Sequence, residues 1–192
     1  MDVFWHAFIP LFVSLDVVGL LPVYWGLAQR LSANERRRAV SEATATAFLV
    51  AISFLLVSRA IFALMGLTLA DLMVAGGAIL IVLSLRDLLL PDRPPEGRYD
   101  NPGVVPMGVP LLTGPAVLTT MLLIRDRHGW PITLAALAAN MALVFIVLRS
   151  SEALMRRLGR EGAQVISKVA SLVLTAFGVM LIREGIALIQ RS

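Results

Sequence analysis

The chain has 192 residues, of which 58% are hydrophobic and only 16% charged, against roughly 25% charged in an ordinary soluble domain; its mean hydropathy is +0.82. A soluble fold of this size cannot bury that much apolar side chain, so the composition excludes disorder, a collagen-like fibre and a soluble enzyme domain, and it points to a polytopic membrane protein. The 17 Lys and Arg residues behind the net charge of +4 sit in short clusters between apolar runs, a pattern of loop charges and not of a nucleic-acid-binding face.

Apolar windows of about 20 residues give six predicted spans, roughly 3–28, 41–65, 69–90, 104–124, 131–150 and 165–189. The chain begins without a basic n-region or a small-x-small cleavage site, so the first is expected to be a retained span and not a signal peptide. Its centre carries Asp16, in Ser14-Leu15-Asp16-Val17-Val18-Gly19-Leu20-Leu21-Pro22. An aspartate at mid-membrane depth disfavours insertion by about 2.5–3.5 kcal/mol and normally faces the bundle interior or a wet cavity. Together with Gly19 and Pro22 it predicts a broken helix, with Asp16 as a pathway carboxylate, a proton site or a structural cap. Arg30 to Arg38 is then a basic turn in which Ser32 and Glu35 have the spacing of a helix-starting capping box.

Span two carries Ala43, Ala47 and Ala51 at helical spacing, and span three carries Ala75-Gly76-Gly77-Ala78. Small residues let helix backbones approach, so packing is the expected role of both sets, with the glycines left open for a ligand or a broken helix. The stretch Pro91 to Pro102, with four prolines, is the main loop and divides the chain almost in half.

Span four opens on Val105-Pro106 and runs through Pro110-Leu111-Leu112-Thr113-Gly114-Pro115. Here Thr113 suits a helix N-cap and Pro115 the first turn of a new helix. The N–H groups of Ala116 and Val117, at the positive end of that helix, would form a site for a carboxylate. A simple proline kink is the competing reading. Span five has Ala135, Ala139 and Ala142 as candidate packing residues, and Asn140 as either an interhelical hydrogen bond or a cavity-lining donor. Thr119 and Thr120 suit bonds back to their own helix. Arg59, Arg183 and Glu184 lie near span ends, where they can reach the interface, and His6 and His128 are expected at the surface.

Twelve Lys and Arg fall on the side of the loops after spans one, three and five and five on the other, so the first side is predicted to be cytoplasmic and both termini outside. Three spans on each side of the Pro-rich loop place the two halves in opposite directions, the topology of an inverted repeat. The expected architecture is thus all-α, a single transmembrane domain over 1–192, with repeat one about 1–90, a cytoplasmic loop 91–103 and repeat two about 104–192. Ile9-Pro10 in one half and Val105-Pro106 in the other, 96 residues apart, echo each other. The chain has no Cys and no H-E-x-x-H, G-x-S-x-G or phosphate-cradling motif, so no enzyme activity, cofactor or metal is expected.

The residues Phe8-Ile9-Pro10-Leu11-Phe12 with Asp16 and Gly19, Ala75-Gly76-Gly77, the fourth-span run from Val105 to Pro115, and Ser167 to Ile186 together resemble the MarC family, whose characterised members include small neutral amino acid transporters of the SnatA type. The family usually has Asp-Pro-x-Gly in the first span where this chain has Asp16-Val17-Val18-Gly19, and a glycine where Ala116 stands. The resemblance implies a bacterial inner-membrane transporter of glycine or alanine, a three-plus-three inverted repeat with helices one and four broken near the midplane. Asp16, Gly19, Thr113, Gly114, Ala116 and Asn140 would bind substrate, and Gly19, Pro22, Pro110, Gly114 and Pro115 would break the helices. The expected partners are a small-molecule substrate and the lipid bilayer, with a homo-oligomer left open. The alternatives are an exporter of drug-like compounds or inorganic ions, and a non-transporting membrane assembly partner.

Overall fold

The computed structural model describes residues 2–28, 31–89 and 103–190; the Pro-rich loop, Arg30 and Arg191 lie outside them. The chain is helical throughout this range. In order come α1 (Asp2–Leu15), α2 (Val17–Ala28), α3 (Ala33–Met65), α4 (Leu69–Leu89), an irregular π-wound segment (Gly103–Leu112), α5 (Pro115–Arg149) and α6 (Ser151–Ile189).

Local chemistry sets the ends. Ser32 starts α3 with the capping box its spacing predicts: its hydroxyl accepts from the Glu35 N–H and its own N–H donates to the Glu35 carboxylate at 2.8 Å. Gly66, at φ 66°, ends the same helix in the left-handed conformation that only glycine adopts without cost. Within α5 the chain turns at Gly129 (φ 76°, ψ 176°), so α5 is two helices, 115–128 and 130–149, meeting at one residue.

Among the described residues five helices are long and apolar enough to cross a membrane: Asp2–Leu21, Ala33–Ser58, Leu69–Arg86, Pro115–Arg149 and Gln164–Ile189. The sequence predicts six; Pro115–Arg149 counts once although it turns at Gly129, so the expected fifth span is 130–149 and the expected fourth is divided between 103–112 and 115–128. Extended backbone at Val105 and Val109 and the restart at Pro115 split it, leaving pieces far short of the about 20 residues a continuous span needs.

The interior is built from small and hydroxylated side chains. Ala43, Ala47, Ala51, Ser58, Thr120, Asn140 and Ser171 are all fully buried, whereas Leu49, Leu56, Leu64, Val169, Leu172 and Val179 stand outward. This inverts the soluble pattern and matches a bilayer, where outward aliphatic groups meet lipid and small residues let helices approach. The alanines of α3 have the packing role expected of them. Ala135 and Ala142 do not: both are exposed, and the buried face of that helix runs through Thr133, Ala136, Leu137, Asn140 and Val144.

Close backbone contacts fix the packing directions. A Cβ on Gly77 would lie 2.5 Å from the Gly178 carbonyl, and one on Gly178 would lie 2.8 Å from the Gly77 carbonyl. Gly185 lies against Ala70 and Val74, while Gly178 also meets Leu80 and Ile81, so α4 and α6 run antiparallel. The segment 103–112 instead runs parallel to α3: Gly103 lies against Ala39 and Glu42, and Gly108 against Thr46. In addition α1 packs on α5, α2 on α6, and α4 on α5.

Candidate functional site

The first break falls at Asp16, the one described non-glycine residue with positive φ, at 44°. Its N–H still bonds the Val13 carbonyl at 3.1 Å, and its own carbonyl accepts from Leu20 N–H at 3.0 Å as the first bond of α2. The carboxylate accepts from the Gly19 N–H at 3.1 Å. Asp16 is therefore the N-cap of α2, a position that Asp tolerates in the left-handed region and that supplies one of the helix's missing acceptors. Gly19 has a specific task here, since a Cβ on it would clash with the Asp16 carboxylate. Pro22 is not a break: α2 continues through it to Ala28, because the cap at Asp16 already ends α1 and membrane helices tolerate an interior proline.

The second break has a different construction. Thr113 is not the N-cap, as its hydroxyl donates across to the Ala47 carbonyl of α3 at 3.1 Å and its N–H to Gly108 O at 3.1 Å. The N-cap of α5 is Gly114 (φ −82°, ψ 172°), with no side-chain hydrogen bond to the helix start and Pro115 in its first turn. The amides of Ala116 and Val117 thus begin a helix whose positive end has no capping side chain. One turn on, the Thr119 hydroxyl donates to the Pro115 carbonyl at 2.8 Å. Thr120 is fully buried and its hydroxyl oxygen has no partner among the described residues, a cost of about 1–3 kcal/mol unless water or ligand reaches it. Pro110 follows the extended Val109 on the approach to this break.

The residues flanking both breaks lie in packed interior, while Asp16 and Gly114 themselves are half-buried. Val13, just before Asp16, packs on a buried cluster of Met73, Leu80, Ala116, Leu123, Leu174 and Leu181, while Leu15, Val17, Leu112 and Val117 belong to the main core. Asn140 stands apart. Its amide donates to Phe8 O at 3.3 Å and Ala136 O at 2.9 Å, at the level of a residue about two turns, or about 12 Å, before Asp16. It ties α1 to α5, and its buried carbonyl oxygen has no partner among the described residues.

Side chains close the bundle at both ends of α6. At one end Arg36 of α3 meets Glu152 at 3.6 Å and the Tyr24 hydroxyl of α2 bonds Ser151. At the other, Arg127 of α5 pairs with Glu184 at 2.5 Å, while Arg125 donates to Leu55 O at 2.7 Å and lies over the Trp130 ring. Thr119 bonds back to its own helix as its place in the sequence suggests but Thr120 does not, and Arg125 and Arg127 are the end groups that sequence reasoning passes over. Their signal was two arginines directly after a charge-free run. Among the described residues no group of His, Asp or Glu can hold a metal. A cavity of about 440 Å³ lies away from both breaks, on a face of α6 lined by Val179, Ile182, Arg183, Ile186, Ala187 and Gln190.

Apolar helices of membrane length around a small-residue core, with outward aliphatic groups, define an integral multi-pass membrane protein. The chain belongs to the MarC family of integral membrane proteins, whose family model matches residues 1–190. It is 27% identical to a UPF0056 membrane protein of Pyrococcus abyssi over 93% of this chain and 92% of that one. A UPF0056 membrane protein of Archaeoglobus fulgidus is 28% identical over 97% of this chain and 93% of its own. The UPF0056 inner membrane protein YhgN of Escherichia coli (strain K12) is 25% identical over 94% of each. No solved structure gives a significant match.

Proposed function

We propose that the protein is a secondary transporter of small neutral amino acids such as glycine and alanine, working by alternating access between two inverted halves of three spans each. The observation that carries this reading is the helix start at Gly114 without a side-chain cap, whose first amides belong to the buried Ala116 and Val117 and are followed one turn on by the buried Thr120 hydroxyl, which has no partner among the described residues. A helix terminus of this kind holds a carboxylate through backbone N–H groups and the helix dipole. Substrate sites at broken helices are a recurrent feature of secondary transporters.

The arrangement of contacts supports the inverted repeat. The piece before each break packs on the second long helix of the other half, α1 on α5 and 103–112 on α3. The piece after each break packs on the last helix of the other half, α2 on α6 and the start of α5 on α4, and the two last helices, α4 and α6, pack on each other. The breaks at Asp16 and Gly114 are 98 residues apart. The paired closures at the two ends of α6 suit a site that opens to one side at a time. The resemblance to SnatA-type transporters supplies the amino acid; an amine acceptor is available in Asp16 or in carbonyls around it. On this reading the excess of Lys and Arg in the loops after spans one, three and five would be cytoplasmic and both termini outside.

The test is uptake of radiolabelled glycine and alanine into proteoliposomes, with and without a proton gradient. Saturable uptake that falls in Thr113→Val, which loses the tie to Ala47, is the expected result. Absence of saturable uptake of any small amino acid by the wild-type protein sinks the reading and favours an exporter of other cargo or an assembly partner.

A further inference from the structure

We propose that Gly76 of α4 is a positioning residue that sets where the open terminus of α5 stands, and through it the affinity for a carboxylate ligand; this rests on the transport reading above. The adjacent glycines Gly76 and Gly77 face different helices. A Cβ on Gly77 would meet Gly178 and Ile182 of α6, so that residue spaces the two antiparallel helices. A Cβ on Gly76 would meet Thr119 of α5 on three atoms, Oγ1 at 2.5 Å, Cβ at 3.0 Å and Cγ2 at 3.1 Å.

Rotating the Thr119 side chain does not relieve this crowding. Its hydroxyl, its methyl and its Cβ all lie inside the contact limit, and Cβ is fixed to the backbone. Thr119 is 1% exposed, and its hydroxyl is bonded to the Pro115 carbonyl at 2.8 Å, in the first turn of the helix whose amides are open. Any methyl at position 76 therefore pushes on the first turn of α5 as a unit. The start of the helix has no side-chain cap to hold it; besides the core packing of Ala116 and Val117, it is held by the Thr113–Ala47 bond on the α3 side and the Gly76–Thr119 contact on the α4 side. Between them they place the Ala116 and Val117 amides, and displacements well below 1 Å at a ligand's charged group change binding several-fold.

The experiment compares Gly76→Ala, Gly77→Ala, Thr119→Ala and the double variant Gly76→Ala/Thr119→Ala in reconstituted protein. Gly76→Ala is expected to raise the KM for glycine about 10-fold with the maximal rate within about two-fold, the signature of lost binding and not of lost transport steps. The double variant removes the tightest contact, Oγ1, and Cγ2 but keeps the Cβ at 3.0 Å, so it is expected to recover most of the KM, to within about three-fold of wild type, a coupling that independent sites do not show. Gly77→Ala is expected to lower the thermal midpoint and leave KM unchanged. Hydrogen exchange of amides 115–124, measured on the same samples without substrate, should rise in Gly76→Ala and return in the double variant. That readout decides the positioning role even if wild-type protein takes up no amino acid, an outcome that sinks the transport reading instead. Should Gly76→Ala fail to accumulate, the double variant must restore folded protein. Unchanged exchange in Gly76→Ala, a double variant no better than the single one, or an equal KM rise in Gly77→Ala overturns the proposal.

Discussion

The two helix breaks use the same device and end in opposite states. Each begins a new helix inside the bundle, and each new helix presents about half a positive charge at its first turn. In the first, Asp16 answers that charge from within the chain, with its carboxylate on the Gly19 amide at 3.1 Å. In the second, the capping position is Gly114 and no side chain answers. Asp16 thus occupies on α2 the place that a ligand's carboxylate would take on α5. What the comparison teaches is that a broken helix is a site only when its own sequence leaves the terminus uncapped, and here the residue at the cap, not the break itself, makes the difference.

The strongest way to break this comparison is to make the second terminus like the first. Gly114 has extended backbone angles that any residue adopts, so Gly114→Asp places a tethered carboxylate at the open amides without demanding strained geometry. It is expected to reduce glycine uptake at least about 10-fold, the effect of about 1.4 kcal/mol of competition for the site, while raising or preserving the thermal midpoint as a new N-cap does. Uptake equal to wild type would show that the ligand's carboxylate binds elsewhere.

The converse change strips the first terminus. Gly19→Ala drives a methyl against the Asp16 carboxylate and is expected to lose the cap, a destabilisation of about 0.5–2 kcal/mol readable in thermal unfolding. Asp16→Ala should lose a similar amount and adds the cost of a left-handed angle for alanine. Asp16→Asn keeps an acceptor and tolerates the angle, so its stability should stay near wild type. The pair separates capping from proton carriage: uptake in Asp16→Asn that no longer responds to a proton gradient assigns the proton to Asp16, and unchanged gradient dependence leaves it a structural cap.

Much of this geometry was legible in the sequence because it is local. The Ser32–Glu35 box, the Asp16–Gly19 cap and Pro115 in a first helical turn each depend on residues within four positions, and spacing alone encodes them. What sequence could not place was decided by contacts far along the chain. Thr113 has the chemistry of an N-cap, but the Ala47 carbonyl 66 residues away takes its hydroxyl, and the cap moves to Gly114. The buried face of the helix over 130–149 was misassigned to Ala135 and Ala142 for a related reason. An apolar helix in lipid has no polar side to phase its periodicity, and only Thr133 and Asn140 marked the interior. The fourth of the six expected spans is not one continuous helix, because two prolines and a Thr-Gly-Pro step divide it into 103–112 and 115–128, a break that hydropathy alone does not reveal.

The smallest expected effect concerns the far end of the open half-helix, where Arg127 pairs with Glu184. With side chains 51% and 28% exposed, the pair is expected to contribute only about 0.2–1 kcal/mol, so Glu184→Gln should move the thermal midpoint by a degree or two at most. The Arg36–Glu152 contact at 3.6 Å, on side chains 31% and 61% exposed, should contribute less still. If closure at that end governs access to the second break, Glu184→Gln will nevertheless alter the uptake rate while leaving stability almost untouched, and the charge-swapped double variant Arg127→Glu/Glu184→Arg will restore it. Because the chain has no cysteine, the same closure can be tested without background by a disulfide across positions 127 and 184. Uptake blocked in the oxidised protein and recovered on reduction ties that end to transport, whereas uptake indifferent to the disulfide confines the pair to its small surface contribution.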